Sequence, residues 1–182
     1  MPRAYRHHAD GQYVYFITST VVHWIPLFLS HRYFNILIDG FTYCRTGKGL
    51  LVHAYVLMPN HFHAIVSSEP ATALPGIIRD LKRHTSWEII RCLAEDGSLY
   101  ALRQLEQAAI EAGRGNNIQV WQEGYHPEAV FTQKFFRQKL DYLHDNPVRK
   151  GYVGAPEHWL YSSAGQYVNG GVGMIEIDML AV

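Results

Sequence analysis

The sequence predicts an α+β fold of the ferredoxin-like kind, an antiparallel sheet with helices packed on it. We expect one domain over residues 1–182, with a helical insertion and a C-terminal extension. Three observations lead there. Strand-like β-branched and aromatic runs come in the order strand, helix, hairpin, and helical stretches follow them. The hairpin is marked by Pro59-Asn60, good turn chemistry between two apolar runs. The 182 residues suit one domain, and 48% of them are hydrophobic, enough for a full core and too many for a disordered binder.

Each element has its own signal. "YVYFITSTVV" (13–22) is β-branched and aromatic and reads as a strand. Ser30 can cap a helix in which Phe34, Leu37, Ile38 and Phe41 follow the i, i+3, i+4, i+7 spacing, with Gly47 and Gly49 ending it. Residues 50–57 and 61–67 form the hairpin strands. Leu74 to Leu93 reads as a helix with Ile77, Ile78 and Leu81 inward, and Arg79 and Arg83 on a common outer face. Ser98 to Glu111 is another helix, closed by the loop "GRGNN". "IQVWQ" (118–122) reads as a short strand. Thr132 can cap a helix that runs to about Asn146, where Pro147 is expected to stop it. The C-terminal quarter has short pieces without strong periodicity.

Composition excludes more than it assigns. No apolar run reaches the length of a membrane span, and Met1 to Asp10 shows no secretory signal. Cys44 and Cys92 lack CxxC spacing and read as two reduced thiols of a cytosolic protein. Lys plus Arg equals Asp plus Glu, 16 against 16, so net charge makes no case for nucleic acid. Its distribution makes a weak one. Arg3 and Arg6 start the chain, Arg79, Lys82 and Arg83 cluster, and Lys134, Arg137, Lys139, Arg149 and Lys150 face only Asp141 and Asp145 across the same stretch.

Chemistry concentrates in "MPNHFHAIV". On a strand, His61 and His63 point to one face and Phe62 to the other, so two imidazoles stand side by side as metal ligands on a rigid element. An HxH pair alone is equally compatible with a structural or surface role. The alternatives for a histidine site are absent from the sequence: there is no HExxH, no cysteine cluster, no Walker loop, and Ile65 stands where an HxHxH hydrolase has a third histidine. What remains is an open site needing oxygen ligands and a nucleophile. "QKLDYLHDNPVRKGYV" (138–153) can supply both, because Tyr142 and Asn146 are i and i+4 on one helix. The same spacing also suits a tyrosine packed in a core.

Together, "MPNHFHAIV" and "LDYLHDNPVRKG" resemble the single-tyrosine HUH transposases, in particular the REP-associated tyrosine transposases of bacteria. "LKRHTS", "VWQEGYHPEAV" and "PEHWLYSSAGQY" are similar to the family's longer members, so the likeness spans nearly the whole chain. The resemblance implies that His61, Phe62 and His63 are the HUH motif, that Tyr142 is the nucleophile, and that Asn146 completes the metal site. It implies Mg²⁺ or Mn²⁺ as cofactor. It also implies attack by the tyrosine, whose ordinary pKa is about 10, to leave a 5′-phosphotyrosine and a free 3′-OH. The implied partner is single-stranded DNA with a hairpin, REP-like or from an element end, handled by a cytoplasmic, nucleoid-associated bacterial protein, with a homodimer as one option.

Smaller expectations complete the reading. Arg149 and Lys150, next to the active helix end, are candidate phosphate contacts, and Arg79, Lys82 and Arg83 are weaker ones, since a solvated helix face explains them too. His144 and Asp145 read as surface, with Asp145 a remote candidate for proton transfer. Tyr13, Tyr15, Trp121 and Tyr125 could stack on bases or pack in the core, and His7 and His8 are expected to be inert. Two other classes stay open: a non-catalytic domesticated relative that only binds single-stranded nucleic acid, and a metal-dependent phosphoesterase using water, in which Tyr142 would be idle.

Overall fold

A computed structural model describes residues 13–115 and 117–180; Arg3, Arg6, His7 and His8 lie outside the described residues. The elements run β1 (Val14–Thr20), α1 (His31–Lys48), β2 (Leu50–Met58), β3 (His61–Ser68), α2 (Leu74–Glu95), α3 (Leu99–Glu111), β4 (Glu128–Val130), α4 (Gln133–Arg149) and α5 (Ala164–Asn169). The four strands form one antiparallel sheet in the order β2-β3-β1-β4, the ferredoxin-like arrangement that the sequence predicts.

Strand alternation gives the sheet two apolar faces. Ile17, Tyr55, Leu57, Phe62, Ala64 and Val66 pack against Phe34, Leu37 and Phe41 of α1 and Ile78 and Leu81 of α2. Phe16, Ala54, Val56, Met58 and Ile65 face the other way, onto Phe136 and Leu143 of α4. Both layers are buried, which is why the strands read as near-continuous apolar runs instead of alternating. A register shift between Val52 and Ala54 puts His53 at an irregularity in β2, where Nε2 meets Ser67 Oγ at 2.8 Å and Nδ1 meets the Asp178 carbonyl at 2.7 Å.

Helix ends follow local chemistry with three departures from expectation. Thr132 does cap α4, its Oγ1 accepting from Phe135 N at 3.1 Å. Ser30 occupies the cap of α1 but serves it through its carbonyl, which accepts from Tyr33 and Phe34 N. Gly47 stays inside α1, and Gly49 alone ends it. Pro147 does not stop α4. It lies buried in the last turn, where its missing N–H costs a single bond, and the ladder resumes with Lys150 N to Asn146 O at 3.1 Å. The helix closes at Gly151, whose φ of +74° allows Gly151 N to reach Val148 O and Tyr152 N to reach Pro147 O, both at 2.9 Å.

"IQVWQ" is not a strand of the sheet. Only a single bridge, Val21 to Trp121, forms there, and the Trp121 ring is consumed by the core, stacked on Phe28 with Nε1 donating to Thr85 Oγ1. The fourth strand is instead Glu128–Val130, three residues at the edge beside β1. The unpatterned C-terminal quarter runs along the outer edge of β2: Leu57 N donates to Tyr161 O, Ser163 N to Tyr55 O, and Asp178 N to Val52 O, at 2.7–3.0 Å. Arg45 ties that segment to α1 through Asp178 and Glu176. Among the described residues no helix is long and apolar enough to cross a membrane.

Candidate active site

β3 aims His61 and His63 at the α4 face of the sheet, while Phe62 goes into the opposite core against Phe41 and Trp121. In the antiparallel register Thr20 lies across from His61 and Thr18 across from His63. The two imidazoles are 4.8 Å apart between ring centres. α4 lays Tyr142 over them from the other side, its ring centre 5.4 Å from that of His63 and 6.0 Å from that of Phe16. Asn146, one turn on, joins them. Thr18, Thr20, Trp24, His61, His63, Tyr142, Asn146, Arg149 and Lys150 line one cavity of about 250 Å³.

The ring nitrogens are set by their neighbours. Asn60 Nδ2 donates to the Trp24 carbonyl at 3.0 Å, which turns Asn60 Oδ1 toward His61 Nδ1, 2.7 Å away. A carboxamide oxygen only accepts, so Nδ1 of His61 carries the proton and Nε2 keeps its lone pair. His63 Nδ1 is engaged by Thr18 Oγ1 at 2.7 Å, and Phe16 stacks on the ring at 5.2 Å, so this imidazole also presents Nε2. Burial, reinforced by Lys150, pushes His61 down to about 4; burial, with His61 and Lys139 adding to it, pushes His63 down to about 3. Both rings are neutral at physiological pH, the form that binds a cation.

Asn146 supplies an oxygen. It is 6% exposed, and its Oδ1 is buried with no hydrogen-bond partner among the described residues. Buried carboxamide oxygens are nearly always satisfied, so an orphaned one on a residue that lines this cavity with two neutral imidazoles fits a divalent ion. No group of three or more His, Cys, Asp or Glu residues is gathered for a metal among the described residues; the donor set here is two imidazoles and a carboxamide. Tyr142 is 40% exposed, not a core residue, and the Arg149 guanidinium lies 5.1 Å over its ring. Asp145 is not part of the cavity lining.

Other candidates fall elsewhere. His144 is not a surface residue: half-buried on α4, it meets Ser163 Oγ through Nε2 at 2.8 Å, and burial pushes it down to about 4. Arg79, Lys82 and Arg83 sit on α2, across the sheet from the histidines, where with Arg114, Trp121 and Tyr125 they line a separate cavity of about 480 Å³. Arg79 and Arg83 are exposed and share the carboxylate of Asp80. Lys82 is not on a solvated face; Nζ donates to the carbonyls of Gln122 and Gly124, and burial pushes it down to about 8. Tyr13 stands on edge against Tyr15 and Phe131 near the start of β1. Sequence reasoning missed Thr18, Asn60 and Trp24. Asn60 had one usable signal, its position directly before His61.

Among solved structures, the fold is shared with a REP-associated tyrosine transposase bound to a REP hairpin, at a TM-score of 0.63 and 18% identity, over 100% of this chain and 94% of that one. A candidate transposase from Deinococcus radiodurans matches over 77% of this chain and 94% of its own, at 17% identity; its TM-score of 0.44 is too loose to bear on the fold. No family model matches the sequence. No curated protein matches it either.

Proposed function

We propose that this chain is a single-tyrosine HUH transposase, an enzyme that cleaves and rejoins single-stranded DNA through a 5′-phosphotyrosine intermediate. The observation that carries the reading is the meeting of Tyr142 and Asn146 from α4 with His61 and His63 from β3 in one cavity. All four come from one chain, so a homodimer is not needed to complete the set.

Nε2 of His61, Nε2 of His63 and Oδ1 of Asn146 would hold Mg²⁺ or Mn²⁺, with water at the open positions. Such an ion, when bound, polarises a phosphate and offsets the charge that builds up on it. The chain's own groups do the rest. Phe16 and His63 pack against the Tyr142 ring and the Arg149 guanidinium lies over it, so this cavity-lining side chain has few rotamers to lose. Tyr142 Oη attacks the scissile phosphorus and loses its proton to water at the cavity mouth. The P–O3′ bond breaks, its electron pair leaves with the 3′ oxygen, and that oxygen takes a proton to become a free 3′-OH. The phosphodiester energy stays in the Tyr142 link, so attack by a second 3′-OH rejoins the strand without a nucleotide cofactor. Arg149 and Lys150, lining the same cavity, offer positive charge to the flanking phosphates. Arg79 and Arg83, exposed on α2 across the sheet, are the weaker phosphate contacts because they share the Asp80 carboxylate, and Lys82 is committed to the Gln122 and Gly124 carbonyls. The substrate is a single strand bearing a hairpin, REP-like or from an element end. The enzyme works in the bacterial cytoplasm, at the nucleoid.

The test is to incubate the protein with labelled single-stranded oligonucleotides from the flanks of its own gene and Mn²⁺. An adduct that survives denaturation is expected, with the DNA on the Tyr142 peptide by mass spectrometry. Tyr142→Phe should fold, bind Mn²⁺ and bind DNA, but cleave nothing. Cleavage without an adduct would mean that water is the nucleophile, and an adduct on Tyr125 would mean the wrong tyrosine has been chosen.

A further inference from the structure

We infer that Trp24 is a stacking platform for an unpaired nucleobase beside the phosphate that Tyr142 attacks. This rests on the strand-cleaving reading above and adds the residue that would seat the substrate's base.

Trp24 follows β1 in the turn "VVHWIP". Its φ is +56° and that of His23 is +51°. Two consecutive left-handed residues are easy for glycine or asparagine and unfavourable for a histidine and a tryptophan. A turn needed only to reverse the chain would carry the former. The unfavourable backbone is held from several directions: Trp24 N donates to Val21 O at 3.1 Å, Ile25 N to Val22 O at 3.2 Å, and His23 Nε2 meets Glu111 Oε2 at 2.9 Å. Asn60 Nδ2 grips the Trp24 carbonyl at 3.0 Å with the same carboxamide that orients His61. The turn carrying the indole is therefore fastened to the histidine strand. Backbone held in an unfavourable region by its surroundings tends to mark a functional position.

The outcome is an indole left 60% exposed at the cavity rim, edge-on to His61 at 6.1 Å. The other tryptophans are used differently. Trp121 is buried in the core, Trp159 donates to Leu57 O, and Trp87, equally exposed, stands on α2 under Arg91. Only Trp24 combines exposure with a place in the Tyr142 cavity. A flat apolar face next to a phosphate site suits a base: the phosphates go to Arg149 and Lys150, and the adjoining base lies on the indole. Every base has a π-face, so this contact tolerates any sequence but demands that the base be unpaired.

Trp24→Gly separates the roles, because glycine adopts φ near +56° freely and removes only the ring. The variant should melt at or above the wild-type temperature. It should bind a fluorescein-labelled single strand from the gene's flank about 10-fold more weakly by anisotropy, within the range of lost stacking contacts. Trp24→Phe should recover most of the affinity. An abasic site is then moved one nucleotide at a time along the oligonucleotide. At one position the wild type should lose about as much as Trp24→Gly loses on the intact strand, and Trp24→Gly should lose nothing more there. Wild-type affinity in Trp24→Gly, or additive losses at every position, would overturn the proposal, as would a lack of binding by the wild type. The two readings fail separately: a missing adduct with the abasic coupling intact removes the tyrosine chemistry, whereas an adduct without the coupling removes only the platform.

Discussion

Replacing Asn146 by leucine should stabilise the metal-free protein and abolish most of what a metal adds. The side chain is 6% exposed and its Oδ1 lacks a hydrogen-bond partner among the described residues, so the folded protein without an ion carries the desolvation cost of an unpaired acceptor. That cost is about 1–3 kcal/mol, and leucine, of nearly the same shape, does not incur it. For a chain of this length the gain is a rise of roughly 2–12 °C in melting temperature. With Mn²⁺ at about a hundred times its Kd, the wild type should gain about 2.7 kcal/mol, whereas the variant, left with two imidazoles, gains little. The stability order in chelator and the size of the metal response therefore change in opposite directions. Thermal melts of both proteins in EDTA and in titrated Mn²⁺ measure both. If Asn146→Leu melts below wild type in EDTA, the oxygen is already satisfied in the metal-free protein and the reasoning fails. An undiminished Mn²⁺ response would place the ion elsewhere.

The histidines should be required in the same way: His61→Ala with His63→Ala should remove Mn²⁺ binding in calorimetry and keep the fold, and equal affinity in the double variant would refute the site. Arg149→Ala with Lys150→Ala should weaken single-stranded DNA binding for all sequences and lower the slope of log K against log salt by about 1–2; a preference for duplex or an unchanged slope would contradict it. Acid should destabilise the protein. His61, His63 and His144 titrate near 4, 3 and 4 when folded and near 6.5 when unfolded, so the unfolded chain takes up protons that the folded chain refuses. Stability is full above pH 6.5 and falls as pH drops toward 4, by about 2 kcal/mol per histidine between pH 7 and pH 5. Urea unfolding at the two pH values measures this, and His144→Gln, which can still bond Ser163, should reduce the difference by one histidine's share; an unchanged difference would remove His144 from the account.

Much of this architecture was legible because period and punctuation agree. The hairpin around Pro59-Asn60, the inward set on α2 and the Thr132 cap are local signals, and local physics decided them. β4 was not legible: three residues after Pro127 have no periodicity to read, and pairing with β1 alone makes them a strand. "IQVWQ" has strand composition, yet its pairing with the end of β1 stops at one bridge, Val21 to Trp121, flanked by Val22 N to Val120 O and Gln122 N to Thr20 O. Pro147 misled because its penalty depends on the turn it sits in, and here burial and a Gly151 cap outweigh one absent N–H. In the site, each pair was visible by spacing, His61 with His63 and Tyr142 with Asn146, whereas their meeting in one cavity was implied only by the family resemblance and not by spacing. Trp24, Thr18 and Asn60 act through a turn and cross-strand register, which only the assembled sheet defines.

The strand bearing the histidines is paired to β2, and β2's other edge is occupied by residues 159–178. Met58 lies across from His61 and Val56 across from His63, one residue to either side of the Leu57 bonds to that segment. The segment is thus a splint for the hairpin that carries the histidines, although it contributes nothing to the cavity. Trimming the chain at the end of α4 would keep every candidate catalytic group and expose a row of unpaired backbone donors and acceptors along β2. Such an edge recruits other strands, so a shortened form would be expected to self-associate before it could be assayed. A minimal version of this scaffold has to keep the tail, or replace it with another strand.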